Sequence, residues 1–238
     1  MSEIIEHIMS YAQGRTYFTT SELEASFPDT LPHSRSTIDW YLSYLTKDGA
    51  LSRVGKGCYS ALPHTKFIPE QSETDESLNR KLQEWYPEAT FCIYKGAIFS
   101  PLQHHLSYNA LTYIETQREL TEIIFHRFQD EEIRVFHRPN KAVFYNYIDI
   151  SKPGIVVKPL ISGSPLQCIN GITTPMLEKL LVDIRCDDDF DYMGGEEAFR
   201  MLKNAISLYS INTTKLLRYA GRRHRRKEFE NDFIEIGL

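Results

Sequence analysis

The chain has 238 residues, 42% of them hydrophobic and 25% charged, with a net charge of −5. That balance fits one large or two modest globular domains and excludes a disordered or fibrous chain. No stretch approaches the roughly 18 apolar residues of a membrane helix, and the acidic start MSEIIEHIMSYAQ lacks the basic-then-apolar pattern of a secretion signal.

The four cysteines, Cys58, Cys92, Cys168 and Cys186, are widely spaced and form no C-x-x-C pair. Reduced thiols in a cytoplasmic protein are therefore expected, with neither a metal nor a cofactor.

Along the chain, Ile4–Gln13 reads as an amphipathic helix through Ile4, Ile5, Ile8 and Met9, joined by Ala12. Tyr17–Phe18 suits a short strand. Thr20 or Ser21 would cap a second short helix, SELEASF, which Pro28 ends. Ser34 is a good cap for a third helix, SRSTIDWYLSYLTKDG, with Ile38, Tyr41, Leu42 and Leu45 on its apolar face and Gly49 closing it. Its opposite face carries Ser36, Trp40, Ser43 and Lys47, with Thr37 and Tyr44 beside it. Two strands, Leu51–Val54 and Cys58–Leu62, then flank Gly55-Lys56-Gly57, a turn that needs glycine.

Helix, helix, helix, hairpin over residues 1–62 is the order of a winged helix-turn-helix. Residues 63–77 are polar and acidic and read as a linker. From 78 to 238 the pattern is mixed: helix 78–86, strand 90–94, helix 101–106, strand 112–116, helix 119–130, strand 133–137, and strand-like runs at 143–150 and 155–161. Three helices follow, at 175–185, 196–209 and 213–229. The expected class is α+β, a winged helix followed by a larger α/β domain.

A helix fits the major groove and reads base edges with short polar or forked side chains. Arg35, Ser36, Thr37, Trp40, Ser43 and Lys47 would line that face, and Arg53 and Lys56 the hairpin tip. The first 62 residues nevertheless hold five basic and seven acidic side chains, and an exposed Trp40 equally suits a protein partner.

Seven basic and no acidic residues fall between Lys215 and Lys227, against 20 basic and 32 acidic elsewhere, a net of −12. Arg222, Arg223, Arg225 and Arg226 are thus candidate phosphate contacts. The run Asp187-Asp188-Asp189 with Asp191 matches no calcium loop and reads as a solvated turn. His104-His105 are adjacent on an expected helix, not at the i, i+4 spacing of a metal pair. Glu115 near a strand end suggests a nuclease Glu-x-Lys motif, but Gln117 stands where lysine is wanted. No phosphate-cradling glycine loop is present.

The hairpin RVGKGCYSAL, the unit FCIYKGAIFSPLQHHLS, the strand YIET, the helix MLEKLLVDIRCD and the ending INTTKLLRYAGRRHRR together resemble the AbiEi-like antitoxins of bacterial type IV toxin–antitoxin systems. The resemblance spans nearly the whole chain through short, degenerate motifs. It implies an N-terminal domain that binds inverted repeats in its own promoter and represses it. It also implies a C-terminal domain needed for antitoxicity, with Glu115, Glu178, Lys179 and Asp183 as its motif residues. The toxin would be a separate nucleotidyltransferase that forms no stable complex with the antitoxin. On the helix, Lys179 and Asp183 lie four apart on the polar side and could pair. The resulting expectation is a cytoplasmic DNA-binding autorepressor and antitoxin without catalysis. The rivals are a protein-interaction module and a degenerate metal-dependent nuclease.

Overall fold

A computed structural model describes residues 3–31, 33–61, 65–103 and 108–236. It has an α+β architecture, built from three small sheets and the helices around them.

The N-terminal unit runs α1 (Glu3–Ala12), β1 (Phe18–Thr19), α2 (Thr20–Ala25), α3 (Arg35–Lys47), β2 (Ser52–Gly55) and β3 (Cys58–Ser60). The strands form one antiparallel sheet in the order β1-β3-β2. The cap of α2 falls at Thr19, before both expected positions, Thr20 and Ser21, because Glu22 completes a reciprocal capping box with it. Ile8, Ala12, Phe18, Leu23, Ile38, Leu42 and Leu45 bury the apolar stripes of the three helices in one core. Gly49 has φ +80°, which lets the chain leave α3 directly for β2.

Residues 65–71 are extended and packed rather than free. Phe67 is buried, and the Gln71 side-chain amide donates to the Ile169 carbonyl at 3.0 Å. The next helix, α4 (Glu73–Trp85), starts at Glu73 and not at Leu78, because Ser72 and Asp75 cap it reciprocally. The last five residues of the expected linker are therefore helical.

A four-stranded sheet in the order β4-β5-β7-β6 organises the larger C-terminal part, with β4 (Cys92–Lys95), β5 (Leu111–Thr116), β6 (Val135–His137) and β7 (Gly154–Pro159). β4 is antiparallel to β5, and β5, β7 and β6 are parallel. Side chains alternate across the sheet. Ile93, Ile114 and Val157 meet Leu82 of α4 and Ile124 and Phe128 of α5 (Arg118–Asp130). Tyr94, Tyr113 and Val156 face the helices that close the chain. Glu115 and Lys158 continue this second row, so strand periodicity alone sends both inward.

Further elements differ from expectation. Residues 141–147 form a helix, α6 (Lys141–Tyr147), because the Asn140 side chain caps the Val143 amide and overrides the aromatic, strand-like composition. Gly96–Phe99 is a single 3-10 turn, and the second half of the helix expected at 101–106, with His104 and His105, lies outside the described residues. A hairpin, β8 (Leu166–Ile169) and β9 (Ile172–Pro175), turns on Asn170-Gly171, both at positive φ.

The chain then forms α7 (Leu177–Asp183), α8 (Glu196–Leu208), α9 (Thr213–Arg222) and α10 (Arg226–Ile236). The single helix expected at 213–229 is thus two. His224 is left-handed at φ 59°, and the Arg225 amide reaches back to the Ala220 carbonyl at 2.8 Å, a left-handed helix stop made without glycine. The inner side of the N-terminal hairpin, Val54 and Cys58, joins the same core as α7–α10. No helix among the described residues is long and apolar enough to cross a membrane.

Candidate functional site

Two places gather the residues singled out from sequence. One is the outer surface of α3 with the neighbouring hairpin. The Ser34 side chain accepts from the Thr37 amide at 3.2 Å and fixes the start of α3. Ile38, Leu42 and Leu45 are buried, which turns Ser36, Asp39, Trp40, Ser43, Tyr44 and Lys47 outward. Trp40 is 62% exposed and Tyr44 47%, and their rings stack in parallel with centroids 5.8 Å apart.

Thr37 is half-buried, and its hydroxyl is bonded to Ser34 at 2.7 Å, so it serves the cap. Arg35 pairs with Glu24 of α2 and lies 3.8 Å from Asp39. On the hairpin, Arg53 and Lys56 are exposed, and Arg53 Nε donates to the Gly55 carbonyl at 3.1 Å. Arg53 and Lys56 edge a cleft of about 530 Å³ shared with Asn212–Thr214 at the start of α9. Glu178 also lines that cleft and accepts from the Asn212 amide at 2.7 Å. Glu178 therefore positions α9 and stands apart from the other motif residues.

The second place is a charge cluster under the sheet. Glu115 and Lys158 are register partners on β5 and β7. Helix α7 is buried all round, including Glu178, Lys179 and Asp183, so its expected polar face points into the protein. Lys179 Nζ donates to Glu115 at 2.8 Å and pairs with Asp183, as the i, i+4 spacing suggests. Tyr94 and Tyr219 donate to Glu115 and Asp183, each at 2.8 Å. Lys158 Nζ bonds Asp187 at 2.8 Å and Asp189 at 3.0 Å. The expected solvated turn is thus corrected: Asp187 and Asp189 turn in to neutralise a lysine, while Asp188 stays exposed and accepts from the Lys141 amide at 3.0 Å.

Burial opposes the charge on both lysines, but the surrounding carboxylates outweigh it and hold them well above the ordinary lysine range. Burial also pushes Asp183 up to about 6, against the pull of Lys179. Asp187 lies the other way: Lys158 and Arg223 overcome its desolvation and hold it well below the usual carboxylate range. Glu115, Lys179 and Asp183 are each 1% exposed at the side chain. The lysine missing from the Glu-x-Lys reading is supplied from β7 and α7, and it is spent on ion pairs. No group of three or more His, Cys, Asp or Glu among the described residues is arranged to hold a metal ion.

The basic tail divides. Arg223 does not project: its guanidinium lies 3.3 Å from Asp183 and pairs with Asp187, because the chain reverses at His224. Arg225 pairs with Glu228 at 2.6 Å and Arg226 with Glu230 at 2.7 Å on α10. Arg222 is exposed and donates to Ser162 at 3.0 Å.

Asp187, Asp189, Lys158 and Arg223 are not legible in the sequence as members of the cluster around Glu115. One signal is present, a lysine inside the apolar run IVVKPL, since a buried lysine requires carboxylates around it. Curated proteins give no match to this chain. A family model described as a family of unknown function (DUF6577) matches residues 37–237, from the first turn of α3 to the end of α10, and the chain belongs to that family.

Proposed function

We propose that the protein is a cytoplasmic DNA-binding regulator whose N-terminal unit is a winged helix-turn-helix. In this reading α3 enters the major groove and the β2–β3 hairpin lies along the backbone as the wing. The observation that carries it is the exposed, capped face of α3 on the same unit as the exposed Arg53 and Lys56, beside a sheet ordered β1-β3-β2. The resemblance to AbiEi-like proteins extends the reading to autorepression at inverted repeats and to antitoxicity against a nucleotidyltransferase, without catalysis by this chain. The charge cluster then has a structural role: it fixes α7 and α9 against the sheet.

The test is a titration of the full chain against the duplex upstream of its own coding sequence and against a scrambled duplex of equal length. Preferential binding supports the regulator, and equal binding refutes it. Rescue of cells from a nucleotidyltransferase encoded alongside tests the antitoxin role. A second reading, a protein-interaction module, is favoured by the exposed Trp40–Tyr44 stack. A stoichiometric protein partner that is lost on Trp40→Ala would support it.

A further inference from the structure

The outward face of α3 limits which bases it can read. Guanine is read by a free arginine or lysine, adenine by asparagine or glutamine, and cytosine by an aspartate or glutamate; the acid on this face, Asp39, has its carboxylate 3.8 Å from the Arg35 guanidinium. Arg35 pairs with Glu24 and flanks Asp39. Swinging it onto a base would leave two carboxylates facing a groove walled by phosphates. The exposed positions 36, 39, 40, 43, 44 and 47 hold no asparagine or glutamine. Serine hydroxyls suit several base edges alike, so Ser43 would discriminate poorly, and the Ser36 hydroxyl is bonded to that of Ser34 at 2.9 Å. Lys47, in the last turn, is a point charge suited to phosphate. The remaining resource is the flat, solvent-facing stack of Trp40 on Tyr44, one helical turn apart. Of the four bases, only thymine presents an apolar group, its 5-methyl, in the major groove.

We infer that α3 reads thymine methyl groups, with Trp40 as the main contact and Tyr44 holding its ring flat against the groove. The inference rests on the DNA-binding reading above and adds to it the base that the chain selects.

The experiment begins with selection of a randomised duplex pool on the full chain. The enriched duplex is then remade with deoxyuridine for thymidine, position by position, which removes only the methyl. At one or two positions, Kd should rise about fourfold per methyl, the factor equivalent to ~0.8 kcal/mol of lost apolar burial. Trp40→Ala should bind the thymine and uracil duplexes equally, whereas Ser43→Ala should keep the difference. If the parent binds an enriched duplex but ignores the methyls, or if Trp40→Ala discriminates as the parent does, the thymine inference falls and the DNA reading stands. If no sequence is enriched, both fall.

Discussion

At Asp183 and Asp187, two carboxylates four residues apart in one buried cluster are pushed in opposite directions. Asp187 faces Lys158 and Arg223, and its charged form is the favoured one. Asp183 is more strongly desolvated, and its proton is held up to about pH 6. The dependence of stability on pH takes its sign from these two directions. The Asp183 contribution is fully present below its ordinary value of 3.8 and is lost as pH rises through about 6. The Asp187 contribution is present above the ordinary carboxylate range and is lost as pH falls below it. Asp187→Asn should therefore cost about 3 kcal/mol or more at pH 7, because it leaves Lys158 and Arg223 under-compensated. Asp183→Asn should cost less at that pH and should remove the decline in stability between pH 4 and 6. Urea midpoints measured across that range check both. A larger loss for Asp183→Asn than for Asp187→Asn at pH 7 would contradict the assignment of the two shifts.

At the scale of elements, the α9–α10 junction depends on one left-handed residue. His224 holds φ 59° and is exposed, so its side chain is strained by the backbone and has little packing to lose. His224→Gly should raise stability by about 0.5–1 kcal/mol, read from thermal or urea unfolding; a loss would mean the imidazole makes a contact that matters. This junction is not legible in the sequence. Gly221, the residue that would signal a stop, sits before it, and the seven cations between Lys215 and Lys227 read as one continuous helix end. The N-terminal elements are legible because caps and periodicity agree there: Ser34, Ile38, Leu42, Leu45 and Gly49 each act as their type predicts. α6 is hidden because its aromatic residues favour strand, while the deciding interaction is a single Asn140 cap. The β8–β9 hairpin has its signal in the Asn170-Gly171 pair, a strong turn former whose flanking strands are short and only partly apolar. Within the charge cluster, the Lys179–Asp183 spacing is readable, whereas the approach of Lys158, Asp187 and Arg223 depends on tertiary packing of β7, the 187–189 turn and the helix stop at His224.

At the scale of the whole molecule, an acidic protein that binds a polyanion needs local positive surface. The hairpin offers Arg53 and Lys56, neither of them in an ion pair among the described residues. The tail offers less than its composition implies: Arg223 is internal, and Arg225 and Arg226 are balanced by Glu228 and Glu230. Each phosphate contact contributes about 0.9 to the slope of log K against log salt. Arg53→Ala with Lys56→Ala should therefore lower the slope by about 1.8, whereas glutamine at Arg222, Arg225 and Arg226 together should lower it by less than about 1. The reverse order would make the tail the main phosphate contact.

Binding of a specific duplex by the α3 face and the hairpin together is open to a direct measurement. Fluorescence anisotropy of the full chain with the upstream duplex and its scramble, repeated at several salt concentrations, supplies it. A preference of roughly tenfold or more for the upstream duplex is expected, the product of one or two methyl contacts worth about fourfold each. The Arg53/Lys56 double variant should weaken binding to both duplexes by similar factors, leaving the preference intact. Equal affinity for the two duplexes at every salt concentration would contradict the DNA-binding reading, whereas a double variant that binds as the parent does would contradict the assignment of the hairpin as a phosphate contact.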